Sequence, residues 1–414
     1  MTRKASLGVQ REDPQSELGR RIEKLRKEHR RAFGARDGSE LRLVAAPYRA
    51  CPLGAHVDHQ LGTVTGFALD ASVLLAFTPE RSGRVRLRSL NFEGEVEFAV
   101  GAVPDAIEGD WGNYARGAAR ALGTLGPLRR GISGVVSGNL PVGGLSSSAA
   151  VGLAFLLALE ETNGLRLEAE ENIRLDQYIE NRYIGLDNGI LDQSVILRSR
   201  RDRLLYLDCR DGAHEHVAAP AGTPPLEVAV VYSGLSRSLV ATNYNRRVAE
   251  CRAAARGLLE LAALALPPAP VLRDVPEEVF RAHGGALEPP LRRRAEHFFS
   301  ESRRVPEGVA AWRRGDLAAF GELMTASGRS SIVNYECGGP HLVTLHHLLA
   351  EIPGVYGTRF AGAGFRGCAI ALVDPARRDE IAGTVRERYA SAHPDVAGTF
   401  SIHFCRLDDG ARLL

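Results

Sequence analysis

The segment 140–149 (LPVGGLSSSA) holds the residue types best suited to gripping a phosphate. Gly143 and Gly144 let backbone approach a ligand closely, and Pro141 and Leu145 frame them. Ser146, Ser147 and Ser148 then open an apolar run that reads as a helix. A helix start presents unpaired N–H groups and partial positive charge, which suits an anion. A Gly-Ser loop that merely caps a buried helix has the same spelling, so this segment alone does not choose. It is not a Walker loop, because no lysine follows the glycines, and no serine sits in G-x-S-x-G. The only lysines are Lys4, Lys24 and Lys27. A phosphate site deeper in the chain must therefore use arginine, helix N-termini and backbone N–H groups.

Three further segments carry polar chemistry. The segment 46–59 (APYRACPLGAHVDH) packs Arg49, His56, Asp58 and His59 between strand-like runs. Its His and Asp spacing fits no standard helical or finger metal pattern. A polar loop that binds sugar hydroxyls fits better, since Asp and His supply paired acceptors and donors. The segment 188–193 (NGILDQ) sets Asp192 just after a glycine in an apolar run, as a turn or cap residue or as a catalytic carboxylate. Gly362, Gly364 and Gly367 spell G-x-G-x-x-G. The residues after them, CAIALV at 368–373, are β-like, whereas a dinucleotide fingerprint must open a helix. A glycine turn between strands is the reading that remains.

The elements that must position these segments follow from pattern. An amphipathic helix is expected over 16–33, with Leu18, Ile22, Leu25 and Phe33 near one face. Short strands are expected at 41–45, 73–78, 85–89, 132–137 and 204–208, and helices at 146–159, stopped by Gly164, and 172–183. A stretch rich in Pro, Ala and Gly, 218–225, marks a domain junction. Beyond it come a strand at 226–232, a long helix at 243–266, a proline-dotted connection at 267–290, and helices at 292–313 and 317–329. The chain then alternates: helix 341–351, strands 357–361 and 368–373, helix 378–393, strand 399–405. The division expected is a helical extension, 1–33, and two α+β domains, 34–217 and 218–414.

Composition narrows the function classes. Hydrophobic content of 44% is enough for a substantial core, and a net charge of +2 gives no global field toward nucleic acid or an anionic membrane. The basic run Arg292, Arg293, Arg294 reads as a solvated helix face. No basic cluster is interleaved with aromatics as a stacking platform would be. Six cysteines without a CxxC pair fit neither a zinc knuckle nor a secreted disulfide scaffold. With no signal-like or 18-residue apolar stretch, a cytoplasmic protein is expected.

Taken in order, the four segments resemble those of the GHMP kinases, the family of small-molecule kinases that includes galactokinase, homoserine kinase and mevalonate kinase. The likeness runs from about residue 41 to the C-terminus. It is strongest with the galactokinase branch, because 244–251 (YNRRVAEC), Tyr335 with Glu336, and 353–357 (PGVYG) also match. The resemblance implies an α+β, two-domain fold, the first domain like domain 2 of ribosomal protein S5 and the second ferredoxin-like. ATP would lie between the domains with its phosphates wrapped by residues 140–149. Ser148 and Glu180 would lie on Mg²⁺. Asp192 and Arg49 would flank the reacting sugar hydroxyl, while His56, Asp58 and Tyr244 contact the sugar. Phosphoryl transfer needs mainly positioning and charge neutralisation, which suits those roles.

The departures from the galactokinase pattern point to a substrate. Galactokinases usually carry glutamate directly before the loop histidine, against the C6 hydroxyl of galactose; this chain has Ala55. It also has Tyr48, His59 and Asn188 where glycine, tyrosine and cysteine are usual. Two unit charges 4 Å apart repel by about 4 kcal/mol at an effective dielectric near 20, roughly a thousandfold in affinity. A sugar with a carboxylate at C6 could hardly sit against that glutamate, and alanine removes the repulsion. The strings 48–56 (YRACPLGAH), 334–337 (NYEC) and 363–368 (AGFRGC) look like those of galacturonokinases. Phosphorylation of the anomeric hydroxyl of D-galacturonate is the expected reaction, with galactokinase or arabinokinase as alternatives. His59 and Arg237 are the candidate cations for the sugar carboxylate. A non-catalytic sugar and ATP sensor is the remote alternative, disfavoured by the presence of Asp192, Arg49 and the three serines.

Overall fold

The computed structural model describes residues 16–34, 40–141, 145–235, 243–365 and 367–414. Helix α1 (Glu17–Phe33) starts at Ser16, whose hydroxyl accepts the Gly19 N–H at 2.9 Å. Its apolar stripe, Ile22 and Leu25, packs on Leu74, Ala76 and Val135. There follow β1 (Arg42–Ala50), β2 (Thr63–Glu80), β3 (Arg84–Ser89), β4 (Glu95–Ala99), α2 (Asn113–Gly123) and β5 (Gly131–Gly138). Next come α3 (Ser147–Asn163), α4 (Ala169–Tyr178), α5 (Leu191–Arg198), β6 (Arg203–Asp208) and β7 (His214–Ala218). These strands build a sheet ordered β1-β2-β5-β3-β4, with β6 also on β2 and β7 on β6; only the β3–β5 pair is parallel. Helix α3 is apolar on nearly every side, and Leu153, Phe155 and Leu156 are fully buried against this sheet.

The second half runs β8 (Glu227–Tyr232), α6 (Tyr244–Leu261), α7 (Glu277–His283), α8 (Pro289–Arg313), α9 (Leu317–Val333) and α10 (Pro340–Glu351). It continues through β9 (Val355–Phe360), β10 (Cys368–Val373), α11 (Arg378–Ala392), β11 (Ser401–Cys405), β12 (Leu407–Asp408) and β13 (Arg412–Leu413). A four-stranded antiparallel sheet forms in the order β11-β8-β10-β9. The last two strands return to the first sheet: β12 pairs β2 and β13 pairs β1. The halves also share a core, since Trp312 of α8 packs 5.2 Å from Phe67 of β2 and bonds the Val217 carbonyl at 3.1 Å. That shared packing fixes the two halves around the space between them.

Several expectations shift. The helix expected over 172–183 is α-helical only to Tyr178, and Ile179–Ile184 then widens into a π-helical turn. The connection expected over 267–290 contains α7. Helices α2 and α5 and strand β4 have no counterpart in the sequence reading; α5 (LDQSVILR) is only eight residues long and half polar, too short for its period to declare a helix. Arg294 is no part of a solvated face. Fully buried, it binds Glu250 at 2.7 Å and also pairs with Glu336.

Candidate active site

The site is built from β1 inward. Pro47 faces Ser72 and Arg49 faces Ala68, so two steps along β1 match four along β2. Such an irregularity bends a strand and re-aims its side chains. Arg49 is buried, and its Nε and Nη2 reach Asp192 Oδ1 at 2.8 and 2.7 Å. Asp192 stands in the first turn of α5, and its Oδ2 accepts a hydrogen bond from the Ser146 hydroxyl. Ser146 precedes α3 with φ 54°, a left-handed conformation uncommon for a residue with a side chain. Held so, its hydroxyl serves Asp192 and makes no cap bond to its own helix. The start of α3 and the Arg49–Asp192 pair are therefore one connected unit.

The loop between β1 and β2 is fixed largely by the second half of the chain. Glu301, fully buried on α8, accepts the Gly54 N–H at 2.7 Å. His297 reaches the Ala55 carbonyl at 3.0 Å, and buried Arg359 binds Ser327 at 2.6 Å beside the Pro52 carbonyl. His56, at φ 64°, stacks on Tyr335 with ring centroids 4.3 Å apart. A cavity results, lined by Arg49, Ala55, His56, Asp58, Asp192 and Tyr244, with Gly362 and Ala363 of the β9–β10 hairpin. A Cβ on Gly189 would stand 2.6 Å from Asp58 Oδ2, so only glycine lets the stretch before α5 approach this carboxylate. Burial, followed by the charge of Asp192, pushes the Asp58 carboxyl up to about 6.

His59 is buried but absent from the cavity wall. Its Nδ1 meets the Gln60 amide at 2.9 Å and its Nε2 the Tyr335 hydroxyl at 3.2 Å. An amide NH₂ can only donate, so Nδ1 is the acceptor and the ring is neutral. Burial, then Arg252, pushes it down to about 3. His59 thus offers no full positive charge to a sugar carboxylate at neutral pH. Arg237, the other candidate cation, lies outside the described residues, as do Gly143, Gly144 and Arg366. Within the cavity wall the cation is Arg49, whose Nη1 is buried with no hydrogen-bond partner among the described residues.

Beside Asp192 lies a second cluster of acids. The π-helical turn carries Glu180, and Asp176 stands one helical turn before it on α4; both are buried. A widened turn of this kind often marks a functional position. Burial first, then the charge of Asp192, pushes Glu180 up to about 7, against the opposing hydrogen bonds of Ser148 and Asn188. Asp176 is raised well above the carboxylate range by burial, Glu180 and Asp192 in that order. Both Asp176 oxygens and the Asn188 Oδ1 are buried without a hydrogen-bond partner among the described residues. Buried hard oxygens left without partners, on carboxyls whose ionised form burial disfavours, fit a hard divalent cation that would stabilise that form.

The structure thus brings together Arg49, Ala55, His56, Asp58, Asp192 and Tyr244 around one cavity, with Ser146 on Asp192 and Ser148 and Glu180 adjoining. Ser147 is half-buried in the first turn of α3, Leu145 is buried, and Pro141 is half-buried just after β5. Gly362, Gly364 and Gly367 all have positive φ in the turn joining β9 to antiparallel β10, which agrees with the refusal of the dinucleotide reading. Sequence reasoning missed Asp176, although two acids four apart on a helix were a readable signal. It also missed Glu301, His297 and Arg359, for which no local signal exists.

Comparison with known proteins bears on this arrangement. Residues 113–200 match the N-terminal domain model of the GHMP kinases, and residues 309–391 match the C-terminal one. The galacturonokinase of Arabidopsis thaliana is 45% identical, over 92% of this chain and 96% of its own length. The galactokinase of Roseiflexus sp. (strain RS-1) is 36% identical, over 89% and 92%. The crystal structure of Lactococcus lactis galactokinase complexed with galactose has a TM-score of 0.86, at 29% identity, covering 94% of this chain and 99% of that one. Sequence, domain order and fold agree that the chain belongs to the GHMP kinase family, in the group that holds galactokinase and galacturonokinase.

Proposed function

We propose that the protein is an ATP-dependent sugar-1-kinase that phosphorylates the anomeric hydroxyl of D-galacturonate, giving galacturonate 1-phosphate. The observation that carries this reading is Asp192, bound by Arg49 and Ser146, in a cavity whose wall has Ala55 in place of an acid. Asp192 accepts the proton of the anomeric hydroxyl as that oxygen attacks the γ-phosphorus; the bond to the ADP oxygen breaks and ADP leaves. A carboxylate keeps free lone pairs after accepting from Arg49 and Ser146, so it can still take this proton. Arg49 neutralises charge beside the attacking oxygen, and its unpartnered Nη1 remains available to the substrate. His56, Asp58 and Tyr244 orient the sugar hydroxyls. The first N–H groups of α3 face no acceptor within their own helix and suit the nucleotide phosphates.

Ser148 and Glu180 are the residues proposed to hold Mg²⁺, and the orphaned oxygens of Asp176 and Asn188 support a cation there. When bound, Mg²⁺ neutralises charge on the transferred phosphoryl group. The Glu180 carboxyl, pushed up to about 7 chiefly by burial, gives this assignment a pH signature. Below pH 7 a cation must displace the Glu180 proton, so Mg²⁺ affinity falls by up to about tenfold per pH unit there and levels off above it. Calorimetric titration of Mg·ADP at pH 6, 7 and 8 reads this slope, and Glu180→Gln is expected to abolish it. A slope retained in that variant would remove Glu180 as its source.

The substrate is tested with a panel of D-galacturonate, D-galactose and L-arabinose, following ADP release and identifying the product by its phosphorus shift. Turnover of galacturonate well above the others is expected; equal or reversed rates overturn the choice of sugar. The similarity to galactokinases supports the rival reading, galactose, which the same panel decides. We place the reaction in the cytoplasm, where ATP is abundant and six free, buried cysteines stay reduced. Among the described residues no helix is long and apolar enough to cross a membrane.

A further inference from the structure

A second cluster of ligating side chains lies apart from the sugar cavity. His341 is the second residue of α10, His393 follows the last residue of α11, and Asp395 sits in the 3-10 turn Pro394–Val396. The two imidazoles stack with centroids 4.0 Å apart, and His341 Nε2 stands 3.0 Å from Asp395 Oδ2. One ligand atom from each of the three residues lies within 4.8 Å of the others. Among the described residues no other trio of His, Cys, Asp or Glu meets that spacing. None of the three lines the sugar cavity.

We propose that His341, His393 and Asp395 form a surface site for a late first-row divalent cation, with zinc as the best fit. Two imidazole nitrogens and one carboxylate oxygen suit zinc, whereas magnesium and calcium prefer oxygen alone. Donors bound to zinc at about 2.0–2.1 Å stand roughly 3.3 Å apart in a tetrahedron, close to the 3.0 Å His341–Asp395 separation, and the remaining separations are at most 4.8 Å. His393 Nε2 meets the Thr344 hydroxyl at 2.9 Å, a contact that orients its ring. Neutral imidazole is the ligating form of histidine, and either ring nitrogen can serve as the donor. Both histidines are half-buried and Asp395 is exposed, so an ion can enter from solvent. All three residues sit at helix ends or in the turn that follows, so an ion there would tie the start of α10 to the α11–β11 corner. Helix α10 begins three residues after Cys337, whose sulfur stands 3.7 Å from His56 Nε2. The cation would thus brace the segment behind the sugar loop without touching the phosphoryl-transfer groups.

The test uses chelator-stripped full-length protein titrated with zinc chloride, with bound zinc measured after desalting. Wild type is expected to hold one zinc more than His341→Ala, and to bind it more than about tenfold more tightly, the least that loss of even an outer-shell partner costs. Asp395→Asn serves as the second variant, because an exposed carboxylate can be replaced without disturbing the fold. Cobalt(II) gives an independent signature, visible absorption bands present in wild type and lost in both variants. Equal zinc uptake and equal cobalt spectra in all three proteins would overturn the site, leaving a stacked histidine pair with a hydrogen bond to Asp395 beside it.

Discussion

Asp192→Asn is expected to lower kcat by about 10²–10⁴-fold, the usual worth of a positioned general base, while the protein stays folded. Asparagine has nearly the volume of aspartate and keeps one oxygen for the Arg49 N–H groups that now reach Oδ1 at 2.7 and 2.8 Å. Its amide nitrogen can face Ser146, whose hydroxyl accepts as well as donates. What asparagine cannot do is take the anomeric proton. The loss therefore falls on kcat, with the KM for the sugar little changed. Asp192→Ala is the poorer experiment. It strands the buried Arg49 guanidinium without its counter-charge, and breaking such a pair costs up to about 3–5 kcal/mol of stability, somewhat less here because the Asp192 side chain is 21% exposed. Steady-state rates paired with thermal melting separate the two effects. Wild-type kcat in a folded Asp192→Asn protein would remove Asp192 from the chemistry.

Much of the scaffold was legible because it is periodic. Helix α1 carries an apolar stripe on a charged background, and α3 is so apolar that only burial accounts for it. The glycine turn at 362–367 was readable as a hairpin because β-favouring residues follow it directly. What escaped was non-local. Nothing near residue 54 announces that its N–H needs Glu301, 247 residues away. Arg294 looked like one member of a basic run, yet Glu250 and Glu336, brought to it by α6 and the turn after α9, make it a buried anchor. His59 illustrates the same limit from the other side. Its residue type suggested a cation, but its protonation is decided by Gln60 and Tyr335, and only the folded chain brings Tyr335 to it.

Ala55→Glu is expected to cut kcat/KM for D-galacturonate by roughly a thousandfold and to spare D-galactose, which carries no charge at C6. The backbone at this position is pinned on both sides, by Glu301 on the Gly54 N–H and by His297 on the Ala55 carbonyl, so the new side chain must extend into the cavity that Ala55 lines. There its carboxylate would confront the sugar carboxylate, whereas the C6 hydroxyl of galactose could donate to it. The size of the side chain has its own cost, since Ala55 is only 6% exposed and added atoms must displace neighbours. Ala55→Gln controls for this, being of equal bulk without the charge. Galacturonate turnover should survive in Ala55→Gln far better than in Ala55→Glu. The penalty in the glutamate variant should also shrink as pH falls, because burial raises a carboxyl's pKa and the protonated form no longer repels. Rates for both sugars, measured across pH in both variants, separate bulk from charge. Equal losses in the two variants at every pH would mean that the C6 carboxylate lies elsewhere in the cavity, and that Ala55 selects by volume and not by charge.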